Sequence, residues 1–235
     1  MQTVAVFDIN GTILAAPDPL HRAAFEHALR AVHGFDASLA EVPLAGRLDR
    51  VLARELAAAA GVAPRRIDER MDQVMATMGR YYERRIGPGA RVDAVLPGTT
   101  DLLRHLRAAG VGLGVVTGGA RLVARAKLAA AGLDQVLADG AYGDEHDDRA
   151  ELVRLGVERV AARGRSRVPT AAAVVIGDTP ADIDAARRAG ARVVAVATGR
   201  YSVDALSEHG PDAVFADLVN ADAVAHAVRG INRLP

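Results

Sequence analysis

The sequence predicts an α/β protein, a parallel sheet covered by helices on both faces, with a block of helices inserted after its first strand. Three observations carry this. Short β-branched runs at residues 4–7, 111–117 and 172–176 are apolar almost throughout, as strands buried on both faces require. Each ends in a polar residue beside glycine and is followed by a helical pattern. Between Thr12 and Pro97 the strand–helix alternation gives way to helical periodicity alone.

Residues 4–7 form the first strand and run straight into Asp8-Ile9-Asn10-Gly11-Thr12. Helices are expected over 20–32, 47–60 and 65–85, where apolar residues recur at spacings of three and four. Pro17, Pro19, Pro43 and Pro64 mark their turns. Leu96-Pro97-Gly98 returns the chain to the sheet, and Thr99 or Thr100 is expected to cap the following helix. The strand over 111–117 closes on Thr117, and that over 172–176 leads into Gly177-Asp178-Thr179-Pro180-Ala181-Asp182. A helix over 181–189 stops at Gly190, and short strands follow over 192–197 and 213–215. The expected division is therefore a core of residues 1–14 and 96–235 with a helical module of residues 15–95.

Composition narrows the function. Half of the 235 residues are hydrophobic and only 3% aromatic, so the core is aliphatic. Lys+Arg and Asp+Glu cancel at 29 each, which argues against a nucleic-acid partner. Only one of those cations is a lysine, Lys127. The absence of cysteine excludes disulfides, thiolate metal sites and cysteine nucleophiles. No apolar run approaches membrane-spanning length, and the first strand leaves no room for a secretion signal, so a cytoplasmic location is expected.

In an open α/β sheet the active site is expected at the carboxyl ends of the strands, near a reversal of strand order. Asp8, Asn10, Thr117 and Asp178 stand at such ends, and Asp182 opens the next helix. Singly, each has a plainer reading. Asp178 or Asp182 can cap a helix, and Thr117-Gly118-Gly119 can be an ordinary turn. Asp8 is harder to explain away, because a carboxylate closing a buried strand must be solvated or paired with a cation. Together, Asp8 and Asp178 can hold a hard divalent cation, while Thr117 and backbone N–H groups bind anionic oxygens.

With these motifs the chain resembles the haloacid dehalogenase (HAD) superfamily, mostly Mg²⁺-dependent phosphatases that form an aspartyl-phosphate. Asp8–Thr12 matches the family's first motif, Asp-x-Asp-Gly-Thr, except at Asn10. Val115-Val116-Thr117-Gly118 matches the second and Gly177–Asp182 the fourth, Gly-Asp-x-x-x-Asp. The helical module sits where relatives carry a helical cap. The third motif is a cation near the start of a helix. Lys127 lies well inside the helix after Thr117, so Arg149 is the better match, at the head of the helix leading to the strand over 172–176. Its plainer reading is a surface pair with Asp147 or Asp148.

The resemblance implies a fold, a cofactor and roles. The core is Rossmann-like and the cofactor Mg²⁺, held by Asp8, Asp178 and the main-chain carbonyl of Asn10, with Asp182 orienting the metal shell. Asp8 is the nucleophile, and Thr117, Gly118 and Arg149 hold the phosphoryl group. A cap loop, Ala45-Gly46-Arg47-Leu48-Asp49, offers Arg47 to a substrate's polar end; His21 reads as a surface residue. The implied partner is a small phosphorylated metabolite, bound by a monomer or homodimer.

Asn10 departs from the pattern. Family phosphatases carry there an Asp that protonates the leaving oxygen and then activates water, whereas an amide hydrogen-bonds but cycles no proton. Three readings stay open. One is a phosphatase that is slow, or suited to leaving groups needing little protonation, such as acyl or aryl phosphates. Another is a weak or inactive relative that binds a phosphorylated metabolite or a protein. The last is that Asn10 was introduced, to trap a substrate complex, where the native residue is Asp. A response-regulator receiver domain would lack the helical insert and the Gly-Asp-x-x-x-Asp segment. A dinucleotide-binding domain would need a glycine-rich first turn.

Overall fold

The computed structural model describes residues 3–40 and 42–230. Its strands are β1 (Val4–Phe7), β2 (Gly112–Thr117), β3 (Gly140–Tyr142), β4 (Ala173–Gly177), β5 (Arg192–Val196) and β6 (Ala213–Phe215). Its helices are α1 (Pro19–His33), α2 (Asp49–Ala59), α3 (Pro64–Glu83), α4 (Thr99–Ala108), α5 (Arg121–Ala130), α6 (Arg149–Arg163), α7 (Pro180–Ala189), α8 (Val203–Ser207) and α9 (Ala221–Gly230). Among the described residues the strands form one parallel sheet in the order β3-β2-β1-β4-β5-β6. This is the parallel α/β sheet expected from the apolar strands, with the Rossmann-like order that the resemblance implies.

β1 shows why its four residues carry no polar side chain. Ala5 and Phe7 pack on one face with Leu102, Leu106, Leu128 and Val224, while Val4 and Val6 pack on the other with Val153, Val157, Ile183 and Ala186. Helices α1, α2 and α3 make a third cluster through Phe25, Leu29, Leu52, Met71 and Met78, which continues onto Ala120 and Val123 at the head of α5. Burial of this kind is worth roughly 25 cal/mol per Å² of apolar surface.

The helix starts follow local chemistry, with one correction. Asp18 caps α1, accepting from the N–H groups of Leu20 and His21. The start of α7 is fixed by neither Asp178 nor Asp182 as the capping residue. Thr179 caps it, and Asp182 returns the bond to the Thr179 N–H. The expected threonine cap of α4 is not made. Gly98 holds that position without a side-chain bond, and Thr99 is already in the first turn, with its hydroxyl 3.5 Å from the Ile13 carbonyl. The sequence reading also lacks β3, which is only three residues long and sits at the sheet edge.

What positions the site is the reversal of strand order at β1. β2 and β3 lie to one side and β4 to the other, so the carboxyl ends of β1 and β4 open onto a crevice. Phe7 pairs with Ile176, and the Asp8 N–H donates to the Ile176 carbonyl at 2.9 Å. Asp8 and Asp178 are therefore brought side by side by sheet register.

Candidate active site

Asp8, Asp178 and Asp182 each present an oxygen within 4.8 Å of the others, and all three are buried. The Thr12 hydroxyl donates to Asp178 Oδ1 at 2.8 Å. Gly11, at φ +87°, gives the tight turn between them; a Cβ there would lie 2.4 Å from Asp178 Oδ2. Burial pushes the Asp8 carboxyl up to about 6 against the pull of Arg149. Burial, with Asp8 and Asp182 adding to it, pushes Asp178 up to about 8. A cluster of hard oxygen donors carrying more negative charge than its surroundings offset fits a cation such as Mg²⁺.

Arg149 does not pair with Asp147 or Asp148. Asp147 pairs with Arg50 and Arg54, while Asp148 caps α6 and pairs with Arg188. The Arg149 side chain is buried and donates to Asp8 Oδ1 at 3.0 Å and to Asp182 Oδ1. Asp182 thus spends one oxygen on Arg149 and the other on the N–H and hydroxyl of Thr179. It braces the arginine and the 179–182 turn, and it lies outside the lining of the cavity described next.

A cavity of about 450 Å³ opens at these strand ends, lined by Asp8, Asn10, Arg47, Thr117, Gly118, Arg149 and Asp178 among others. The loop before α2 forms its opposite wall. Asp49 N–H donates to the Gly118 carbonyl at 2.8 Å, and a Cβ on Gly118 would lie 1.9 Å from the Arg47 carbonyl, so only glycine allows the loop this close. Arg47 stands in the cavity wall, and its guanidinium is engaged by Glu55. Thr198, which donates to the Gly11 carbonyl, and Arg200 also line the cavity and are absent from the sequence reading.

The largest revision concerns His21 and Lys127. His21 is not a surface residue; it is 5% exposed, its ring held between Lys127 of α5 and Asp49 of α2. Lys127 Nζ lies 3.1 Å from His21 Nδ1, 3.1 Å from Asp18 Oδ2 and 3.2 Å from Asn10 Oδ1. With Nδ1 accepting from the ammonium, His21 Nε2–H donates to Asp49 Oδ2 at 2.9 Å. Asp49 Oδ2 also accepts from the Ala120 N–H, and the Tyr82 hydroxyl donates to Asp18 Oδ2. Lys127 is not the cation on Asp8, but it does reach the first-strand turn. The signal available in sequence was its being the sole lysine of an arginine-rich chain.

Comparison with known proteins gives a family and a fold. The family model for haloacid dehalogenase-like hydrolases matches residues 3–190. A phosphoglycolate phosphatase of Rhodospirillum rubrum is 28% identical over 233 residues, covering 94% of this chain and 89% of its own. Among solved structures, β-phosphoglucomutase from Clostridium difficile aligns with a TM-score of 0.71 at 17% identity over 98% of each chain. CbbY from Rhodobacter sphaeroides, solved in complex with phosphate, aligns with a TM-score of 0.64 at 20% identity, covering 93% of this chain and 96% of its own. At such identities the two structures speak for the shared fold.

Proposed function

We propose that this chain, which belongs to the haloacid dehalogenase-like hydrolase family, is a Mg²⁺-dependent phosphatase acting on a small phosphorylated metabolite through a covalent intermediate on Asp8. The observation that carries the reading is the juxtaposition at the β1 and β4 ends. Asp8 stands beside Asp178 with Arg149 donating to it, at the wall of a cavity large enough for a small metabolite. The name of the Rhodospirillum rubrum relative, a phosphoglycolate phosphatase, supports a small phosphorylated substrate.

In this mechanism an Asp8 oxygen attacks phosphorus, the leaving group departs, and water then hydrolyses the acyl phosphate to restore Asp8. The Thr117 hydroxyl, the Gly118 N–H and the Arg149 guanidinium hold phosphoryl oxygens, so that catalysis is positioning and charge stabilisation. Asp8, Asp178 and the main-chain carbonyl of Asn10 would hold Mg²⁺, which screens the repulsion between carboxylate and phosphate dianion. Asp182 keeps Arg149 aimed at Asp8. Residues 15–95 act as a cap that excludes water from the cavity, with Arg47 released from Glu55 to meet the substrate's far end.

Asn10 favours a second reading, a weakly active or inactive relative that binds a phosphorylated metabolite or a protein, because an amide cannot cycle a proton. One experiment separates the two. Turnover of a panel of phosphate monoesters with Mg²⁺ is compared for the chain, Asn10→Asp and Asp8→Ala. A phosphatase gains about 10²–10⁴-fold on alkyl esters with Asn10→Asp and loses turnover with Asp8→Ala. Equal inertness of all three would favour the binding role.

A further inference from the structure

The steps above make no use of Lys127, although its side chain is 2% exposed and aimed at Asn10. An ammonium carries three donors and no acceptor, and here it meets Asn10 Oδ1, Asp18 Oδ2 and His21 Nδ1, which saturate it. Burial pulls the Lys127 pKa down, but Asp18 and Asp49 favour the ammonium. The Asn10 atom facing an ammonium is the carbonyl oxygen, which turns the amide nitrogen the other way. Asn10 lines the cavity beside Asp8, and among the described residues its amide nitrogen has no hydrogen-bond acceptor. A charged donor on the oxygen polarises the amide and strengthens its N–H groups as donors.

We propose that Lys127 is a positioning residue that fixes Asn10 as a polarised hydrogen-bond donor to the leaving-group oxygen, so that the site selects acyl, enol or aryl phosphates over alkyl phosphates. The proposal rests on the phosphatase reading. As the bond from Asp8 to phosphorus forms, the bond from phosphorus to the leaving oxygen breaks, and the electron pair stays on that oxygen. It departs as an anion, accepting a hydrogen bond from Asn10 and taking no proton from the protein. A hydrogen bond steadies a carboxylate or phenolate well enough to leave, but an alkoxide needs the proton that Asn10 cannot give.

The test measures kcat and KM with Mg²⁺ on a series of substituted phenyl phosphates, acetyl phosphate and an alkyl phosphate. The chain is compared with Lys127→Met, Asn10→Ala and the double variant. In the parent, kcat/KM falls steeply as the leaving group becomes more basic, and acetyl phosphate outruns the alkyl ester. Lys127→Met lowers kcat roughly tenfold with little change in KM, the size of one lost hydrogen bond. In the Asn10→Ala background it costs nothing further. An equal cost of Lys127→Met in both backgrounds would show that Lys127 serves only the fold and would overturn the proposal. A flat dependence on leaving group would overturn it too, while leaving the phosphatase reading intact. If neither the parent nor Asn10→Asp turns over any member of the panel, the phosphatase reading fails and this proposal with it. Should Lys127→Met not fold, Asp18→Asn/Lys127→Met removes both charges together, and the cycle is run on that pair.

Discussion

Asp178 sits against Asp8 and Asp182 with the Thr12 hydroxyl as a neutral partner, and its carboxyl stands well above the ordinary range, at about 8. Burial is the main cause and the two carboxylates add to it. Such an acid binds more protons in the folded than in the unfolded state between its ordinary value of 3.8 and about 8. Stability of the cation-free protein should therefore fall as pH rises through that window. Asp178→Asn keeps an acceptor for Thr12 and removes the charge. The expected outcome is a cation-free variant at least as stable as the parent at pH 7.5, with a flatter pH dependence, read from urea unfolding. Mg²⁺ should raise the parent's melting temperature, by an amount equivalent to about 2.7 kcal/mol at a hundred times its dissociation constant, and leave the variant unchanged. Gly11→Ala should act in the same place by a different route. At φ +87° and 2.4 Å from Asp178 Oδ2, the added methyl strains the turn and shifts the carboxylate. We expect a loss of about 1 kcal/mol or more together with weaker Mg²⁺ binding by calorimetry.

At the scale of elements, the start of α1 is tied to α5 and α3 by buried polar groups rather than by apolar packing alone. Asp18 caps α1 and also meets Lys127 of α5 and Tyr82 of α3. Burial alone would raise the Asp18 carboxyl, but Lys127, Tyr82 and Arg91 outweigh it and hold the carboxyl down at about 2. A lowered folded value gives stability that is fully present above the ordinary 3.8 and lost as pH falls towards 2. Asn caps helices about as well as Asp, so Asp18→Asn isolates the charge. Its destabilisation relative to the parent should be full at pH 6 and shrink between pH 4 and 2, measured by denaturant unfolding. Tyr82→Phe should cost about 1 kcal/mol at neutral pH. This network also marks where the sequence ceased to be legible. Strand ends were readable because an apolar run breaking abruptly at Asp8, Thr117 or Asp178 has few physical explanations. Arg149 was readable only through the resemblance, whose third motif asks for a cation at a helix head. His21 was not, because its partner Lys127 lies 106 residues away and nothing in local periodicity tells a buried polar residue on α1 from an exposed one. Thr99 misled for a related reason, since the choice between cap and first turn was made by the approach of the chain through Gly98.

For the whole molecule, the cavity belongs to two parts of the chain whose apolar clusters meet at few side chains. Its floor is made by the ends of β1, β2 and β4, and its opposite wall by residues 16–18, 21–22 and 43–47 with Asp49. The cluster of α1, α2 and α3 reaches the rest through Ala120 and Val123, while the loop before α2 touches the floor through the Asp49–Gly118 backbone bond and through Leu48, which is buried in the sheet's cluster with Val6 and Val116. A ligand filling about 450 Å³ between these walls makes contacts on both, so its binding free energy opposes their separation. Local opening of that loop should be cheaper than global unfolding, because few bonds hold it and its backbone is partly solvated. We therefore expect Mg²⁺ with orthovanadate to slow amide hydrogen exchange over residues 43–49 and 16–22. Amides inside β1 and β4, whose ladder bonds are already buried, should change little. The same addition to Asp8→Asn should lose most of the effect, since the ligand's inner anchor is gone. Protection confined to the strand ends and the 117–119 turn would mean that residues 15–95 do not close on a bound phosphate, and the cap role assigned to them would fall.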